Sequence, residues 1–231
     1  MGAMIAPTEL LPDPLPAEPL AVAAQWLEEA WRLNRQPNPN AISLATATPE
    51  GKPSARIVLC KAIVASPGYI VFYTNYHSRK GRELEANPRA AAVLHWDHLH
   101  RQVRIEGLID AAPVTDSDAY FASRALQSRL GAWASLQSEP IATRAALLEA
   151  VAAAARRFGI PPEAAAADTA PPAAVVPRPP HWGGYRLWAQ SVELWVEGAA
   201  RIHDRARWSR ELRRCDGRIE AGAWSATRLQ P

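Results

Sequence analysis

Four short stretches gather cations, hydroxyls and aromatic rings at spacings that could serve binding or catalysis. Arg56-Ile57-Val58-Leu59-Cys60-Lys61 puts a cation at each end of a β-rich run. Side chains alternate along a strand, so Arg56, Val58 and Cys60 share one face and Ile57, Leu59 and Lys61 the other. Either these cations meet an anion, or the strand simply has solvated ends. Tyr73-Thr74-Asn75 runs on into Ser78-Arg79-Lys80-Gly81. A helix starting there presents unpaired N–H groups and a partial positive charge, to which Arg79 and Lys80 add two full charges, and that combination suits a phosphate. The glycine spacing of a P-loop is absent. A basic helix start on the surface is the competing reading. Tyr120 and Arg124, one helical turn apart, stand close to Ser128; phenol, guanidinium and hydroxyl together suit a second phosphate, or else an ordinary amphipathic helix. Arg201-Ile202-His203-Asp204-Arg205 would line Arg201, His203 and Arg205 along one face of a strand, with Trp195 as an aromatic wall. The plainer reading is a polar sheet face paired with acids.

Composition narrows the ligand. Of 26 basic residues only three are lysines, Lys52, Lys61 and Lys80. Where arginine is the default cation, a retained lysine marks a place that uses a compact ammonium; Lys52, in a turn, needs no such reason. Net charge is +3, and acids and apolar residues interrupt the arginines between Arg201 and Arg214, so no nucleic-acid surface is expected. Two cysteines, Cys60 and Cys215, suggest free thiols in a reducing compartment rather than disulfides. His95, His98 and His100 alternate along a strand pattern without a nearby cysteine, so no metal site is expected. No apolar run approaches the ~18 residues of a membrane span, and no secretory signal stands at the N-terminus. A soluble, cytoplasmic protein is the expectation.

The elements that must position these residues follow from periodicity. Residues 1–18 are proline-rich and aperiodic, a mobile tail. Apolar residues at helical spacing predict a helix over 19–35. Strands are predicted at 41–48, 55–64, 69–75, 90–96 and 102–111, with 55–64 and 69–75 as one hairpin and 90–96 and 102–111 as a second pair. In 102–111, Val103, Ile105 and Ile109 face one way and Gln102, Arg104, Glu106 and Asp110 the other. Ser78 should cap a helix over 79–87, Thr115 one over 116–124, and the Ala-rich stretch 139–158 reads as one long helix. Residues 160–180 hold seven Pro and seven Ala, a low-complexity loop expected to be mobile. Strand signals return at 185–196, 200–208 and 223–229. The pattern is mainly β with helices, an α+β chain built on a closed or nearly closed barrel, with 19–231 as one domain.

In order and spacing, RIVLCK (56–61), VFYTNYHSRKGREL (71–84), RQVRIEG (101–107), YFASR (120–124), LGAWASLQS (130–138), WGGYR (182–186), ELWVEGAARIHDR (193–205) and the closing RLQP resemble the pyridoxamine 5′-phosphate oxidase family. The resemblance covers about 38–158 and 180–231. It implies a split β-barrel homodimer with FMN at the subunit interface. It places the FMN phosphate against Arg56, Arg79 and Lys80, and the rest of the flavin against Ile57, Val58, Leu59, Tyr73, Thr74, Gln102, Gln137, Ser138, Trp195 and Arg205. It assigns Lys61, Tyr120, Arg124 and Ser128 to a substrate phosphate, and Arg201 and His203 to the pyridine ring and the catalysis there. The implied oxidoreductase converts pyridoxamine or pyridoxine 5′-phosphate to pyridoxal 5′-phosphate, with dioxygen as acceptor and hydrogen peroxide as product. Three positions depart from the family pattern: Ala125 where Pro is usual, Arg129 where Gln is usual and Val196 where Gln is usual. They leave two alternatives open, a related flavin oxidase of the phenazine-pathway type or a non-catalytic carrier of FMN or pyridoxal phosphate.

Overall fold

The computed structural model describes residues 10–167 and 175–231. Its strands are β1 (Ala41–Ala47), β2 (Pro53–Val64), β3 (Tyr69–Asn75), β4 (Arg89–Trp96), β5 (Arg101–Ala111), β6 (Trp182–Val196), β7 (Asp204–Ser209), β8 (Leu212–Cys215), β9 (Arg218–Ala221) and β10 (Ser225–Leu229). The expected hairpins form: β2 pairs antiparallel with β3, and β4 with β5. β1 joins β2 to β4. β6 pairs with both β3 and β5, so six strands close into a barrel in the order β6-β3-β2-β1-β4-β5, and β7 and β10 extend the sheet beyond β6. Closure needs a close approach at one point. A Cβ on Gly107 of β5 would lie 1.8 Å from the Trp188 carbonyl oxygen of β6, so a side chain there would force the strands apart.

Alternation sets what each strand buries. Val103, Ile105 and Ile109 are buried on one face of β5, as their spacing predicts. Ile42, Leu44, Phe72, Leu94, Trp96, Leu187, Leu194 and Trp208 are fully buried with them; each contributes roughly 1.5–3 kcal/mol relative to exposure. Buried indoles need acceptors: Trp96 Nε1 donates to Pro39 O at 2.8 Å and Trp208 Nε1 to Pro16 O at 2.8 Å. The expected tail lies partly outside the described residues. Within them, Leu11 is buried and its N–H donates to Asp204 Oδ2 at 2.8 Å.

The chain divides into two compact units. The first comprises residues up to Phe72, Asn87–Asp110 and Arg186–Pro231; the second comprises Tyr73–Ala86 and Ala111–Tyr185. The first carries helix α1 (Pro19–Leu33), and the second α2 (Arg79–Ala86), α3 (Val114–Ala122), α4 (Leu126–Ala134), α5 (Arg144–Arg157) and α6 (Pro162–Ala166). The second has its own core of Phe121, Leu126, Leu130, Ala154, Ala155, Ile160, Val176 and Trp182. Ile160 and Val176 stand near the two ends of the Pro/Ala-rich stretch, so its flanks are packed; residues 168–174 lie outside the described residues.

Several expectations are corrected. α3 begins at Val114 with no side-chain cap, so Thr115 does not cap it, and it ends at Ala122, leaving Arg124 beyond the helix. The single helix over 139–158 is α5 alone, starting at Arg144 with the Thr143 side chain accepting from Ala146 N–H. Thr143 sets the later start, because its extended backbone and its capping hydroxyl place the helix N-terminus there. α4 was not foreseen as a helix. The strand expected over 200–208 starts only at Asp204: residues 199–201 form a short 3-10 turn in which Ala200 and Arg201 have φ of 54° and 64°. Arg201, His203 and Arg205 therefore do not line one strand face.

Candidate functional site

In the second unit, β3 delivers the chain into α2 through a tight turn. Ser78 Oγ accepts from Gly81 N–H at 3.3 Å and donates to Asn75 O at 2.7 Å, so the expected cap is present. A Cβ on Gly81 would fall 1.9 Å from Tyr76 O, and only glycine lets the helix start this close to the strand. Lys80, on the first turn, is 7% exposed. Its ammonium donates to Gln137 Oε1 at 2.9 Å, Thr74 Oγ1 at 3.0 Å and Ser78 Oγ at 3.1 Å. Arg79 N–H donates to Ser138 Oγ at 3.2 Å, while the Arg79 guanidinium pairs with Glu83 at 2.8 Å. Asn75 Nδ2 donates to Ser135 O at 3.2 Å and ties the 135–138 segment to the end of β3. Thr74, Arg79, Lys80, Gln137 and Ser138, expected from separate parts of the sequence, thus form one cluster. Two cations, hydroxyls and a helix N-terminus are the donor chemistry of a phosphate site.

The other expected members of this unit build an aromatic stack. Tyr73 stacks on Tyr120 with ring centroids 4.1 Å apart and lies near-parallel to Trp182 at 5.6 Å. Close packing at the WGGYR stretch makes this possible, since a Cβ on Gly184 would come within 2.8 Å of the Tyr73 ring. The Arg124 guanidinium lies 4.6 Å above Trp182. Burial lowers its pKa from the usual arginine value, and its Nη1 is buried with no hydrogen-bond partner among the described residues. Ser128 is exposed on the first turn of α4. Arg129, one of the departures, has a buried Nε in the same condition as Arg124 Nη1.

The first unit holds the remaining expected residues. Arg56 Nη1 donates to Thr46 Oγ1 at 2.6 Å and to Leu44 O at 3.3 Å, and Nη2 donates to Ser54 Oγ, so neighbouring strand groups fix its guanidinium. Ile57 is 66% exposed although apolar; Val58 and Leu59 are half-buried, and Lys61 is exposed at a bulge between Cys60 and Ala62. Gln102 sits opposite His95 on β5. Trp195 and His203 are in ring contact at 4.7 Å, and Gly198 N–H donates to His203 Nδ1 at 3.2 Å. Arg201 stands exposed on the turn between them. Arg205 makes a two-pronged pair with Glu193, at 3.0 Å through Nε and 2.9 Å through Nη2, and Arg104 reaches the same carboxylate at 3.1 Å.

Sequence reasoning missed three participants. Ser78 was foreseen as a cap and not as an acceptor for Lys80. Trp182 carries Arg124, and the conspicuous tryptophan before two glycines was the available signal. Glu193 is 6% exposed and takes two guanidinium groups; a lone acid in an otherwise apolar strand run was its only mark.

Residues 27–157 match the model of the pyridoxamine 5′-phosphate oxidase family, and residues 182–231 that of the pyridoxine 5′-phosphate oxidase C-terminal dimerisation region. A pyridoxine/pyridoxamine 5′-phosphate oxidase of Rhodospirillum rubrum is 44% identical over 218 residues, covering 93% of this chain and 96% of the relative. One from Cereibacter sphaeroides is 46% identical over 215 residues, 93% and 95% of the two chains. Among solved structures, PhzG from Burkholderia lata 383 in complex with tetrahydrophenazine-1-carboxylic acid is 31% identical, covers 95% of each chain and superposes with a TM-score of 0.76. A pyridoxamine 5′-phosphate oxidase-related, FMN-binding protein from Nostoc punctiforme shares the fold, with a TM-score of 0.65 at 16% identity over 94% of this chain and 100% of that one. Two family models spanning most of the sequence, relatives above 40% identity over nearly its full length and a closed barrel of the same kind place this chain in the pyridoxamine 5′-phosphate oxidase family.

Proposed function

We propose that this chain is an FMN-dependent oxidase that converts pyridoxamine 5′-phosphate or pyridoxine 5′-phosphate to pyridoxal 5′-phosphate, with dioxygen as acceptor and hydrogen peroxide as product, and that it works as a homodimer. The observation that carries the substrate is Arg124. A buried guanidinium nitrogen without a partner is costly, and an anion arriving at that point relieves the cost. Tyr120 and Ser128 supply a phenol and a hydroxyl within the same unit, and with Arg124 they are a set suited to the phosphate of a B6 vitamer.

The cofactor reading rests on the Lys80 cluster. Its donors fit one terminal phosphate, and Lys80, Arg79 and Ser138 are the residues of this unit that would hold it. FMN, when bound, supplies the two-electron acceptor and passes the electrons on to dioxygen. The chain's own task is to bind and orient. Trp195 and His203 offer two rings in contact, Arg201 an exposed cation on the turn between them, and Gln102 a side-chain amide for a polar ring. The dimer reading is supported by the match of 182–231 to a dimerisation region.

A second reading has its own support. Ala125 and Arg129 depart from the family pattern beside Arg124, and the resemblance to PhzG covers 95% of the chain. A substrate carrying a carboxylate rather than a phosphate would then occupy the same arginines. One assay separates the two. Purified protein, reconstituted with FMN, is mixed in air with pyridoxine phosphate, pyridoxamine phosphate or a reduced phenazine carboxylate, and aldehyde, phenazine and peroxide are followed. Aldehyde and peroxide in equal amounts from the phosphorylated vitamers are expected. Turnover of the phenazine alone replaces the first reading by the second, and no turnover of any of them leaves only a carrier.

A further inference from the structure

The turn that presents Arg201 is strained and anchored. Ala200 and Arg201 are consecutive non-glycine residues with φ of 54° and 64°, a conformation that costs energy at each position and persists only where its surroundings over-determine it. Three contacts do so. Ile202 N–H donates to Ala199 O at 3.0 Å, closing the turn. Gly198 lies so close to it that an added Cβ would stand 1.7 Å from Ile202 O. The third contact comes from outside. His100 Nδ1 bonds the Glu197 carboxylate, and Glu197 N–H donates to His100 O at 2.8 Å. His100 is itself pinned, at a φ of 56°, where a 3-10 turn after β4 meets β5. Main chain and side chain of one residue are thus both fastened to one other residue, immediately before the strained turn.

The anchor reaches the imidazole. Gly198, next to Glu197, donates its N–H to His203 Nδ1 at 3.2 Å. Nδ1 is then an acceptor, and a neutral His203 carries its proton on Nε2. Trp195, two residues before Glu197, packs on the same imidazole at 4.7 Å.

We propose that His100 and Glu197 are positioning residues for the oxidation: they clamp the 198–202 turn so that Arg201 projects at a fixed place and His203 keeps its Nε2–H form. This rests on the reading of Arg201 and His203 as substrate-facing groups. The contribution is indirect, so each residue should matter through the other. A shift of about 1 Å in a substrate-orienting group can lower a rate on the order of 100-fold.

The test uses the FMN-loaded full chain and His100→Ala, Glu197→Ala and the double variant. Measured are kcat and KM with pyridoxine phosphate, flavin content, the dissociation constant of pyridoxal phosphate from its absorbance change, and the nitrogen chemical shifts of His203 in 15N-histidine-labelled protein. Each single variant should lower kcat about tenfold with flavin content unchanged, and the double variant should be no worse than either single, because members of one unit are not additive. The His203 shifts should mark Nδ1 as unprotonated in the parent and move toward a tautomer mixture in both singles. Losses that multiply, or unaltered kcat with unaltered His203 shifts, overturn the clamp. If the parent does not oxidise pyridoxine phosphate, the functional reading fails by itself, and the nitrogen shifts still decide whether the clamp sets the tautomer.

Discussion

Arg124 and Arg201 give opposite kinetic signatures if each acts as its surroundings suggest. Arg124 lies against Trp182 with a buried nitrogen that has no hydrogen-bond partner among the described residues, poised to receive an anion in the ground state and the transition state alike. Removing uniform binding raises KM and spares kcat. A lost hydrogen bond to a charged group costs about 1.5–3 kcal/mol, so Arg124→Ala should raise KM for pyridoxine phosphate about 10- to 100-fold. Arg201 is exposed and held on a strained turn, so its loss should lower kcat while flavin stays bound. If Arg201 merely pairs with an acid, Arg201→Ala will instead lower the melting temperature and leave kcat alone. The cysteines supply a separate check at this scale. Burial pushes the Cys60 thiol up to about 12, whereas Cys215 is exposed. Only the thiolate is nucleophilic, so iodoacetamide at pH 8 should alkylate Cys215 and leave Cys60 untouched in the folded protein. Two modified cysteines per chain by peptide mass spectrometry would mean that the β2 region opens.

At the scale of elements, the β3–α2 junction is the device that builds the Lys80 cluster. Lys80 reaches Thr74 and Gln137 only because α2 begins against Tyr76 O, and Gly81 permits that approach. Gly81→Ala puts a methyl into backbone, an overpacking cost of about 1–3 kcal/mol or more. The variant should lose stability and lose affinity for FMN more than proportionately, since the helix start itself is displaced; thermal melting and flavin titration measure both. A variant of normal flavin affinity would show that the helix start tolerates the shift. This junction was legible in the sequence because a hydroxyl, two cations and a glycine followed a β-rich run. The alternation of Val103, Ile105 and Ile109 was legible for a similar reason, one buried face with a period of two. The 199–201 turn was not. Alanine and arginine carry no preference for positive φ, and what holds them there comes from His100, far away in sequence. The helix read over 139–158 starts later because Glu139-Pro140 is only a permitted helix opening, while Thr143 supplies the hydroxyl that caps Ala146 N–H. Trp182 under Arg124, and Glu193 between Arg104 and Arg205, depend on long-range pairing that no local pattern encodes.

For the whole molecule the question is whether one chain makes a complete site. Ile57 is 66% exposed and Ile202 73% exposed, and both stand among residues assigned to flavin or substrate. Single exposed apolar residues are ordinary, but here two flank the expected chemistry, and the C-terminal stretch 182–231 matches a dimerisation region. An assembly in which the partner covers these positions explains both facts. Flavin binding and association are then linked: anything that binds only the dimer stabilises it by mass action, and dilution below the dimer's dissociation constant must release flavin. The expected result is a homodimer by light scattering at micromolar concentration in the FMN-loaded protein. On serial dilution, flavin fluorescence should rise as free FMN appears, over the same concentration range in which sedimentation detects monomer, and added FMN should move that range to lower protein concentration. Ile57→Asp should raise the range by burying a charge at the contact, with the melting of the isolated chain little changed because the side chain is already exposed within it. A monomer that retains its flavin and full turnover would show that each chain carries its own site, and the exposed isoleucines would then need a different occupant.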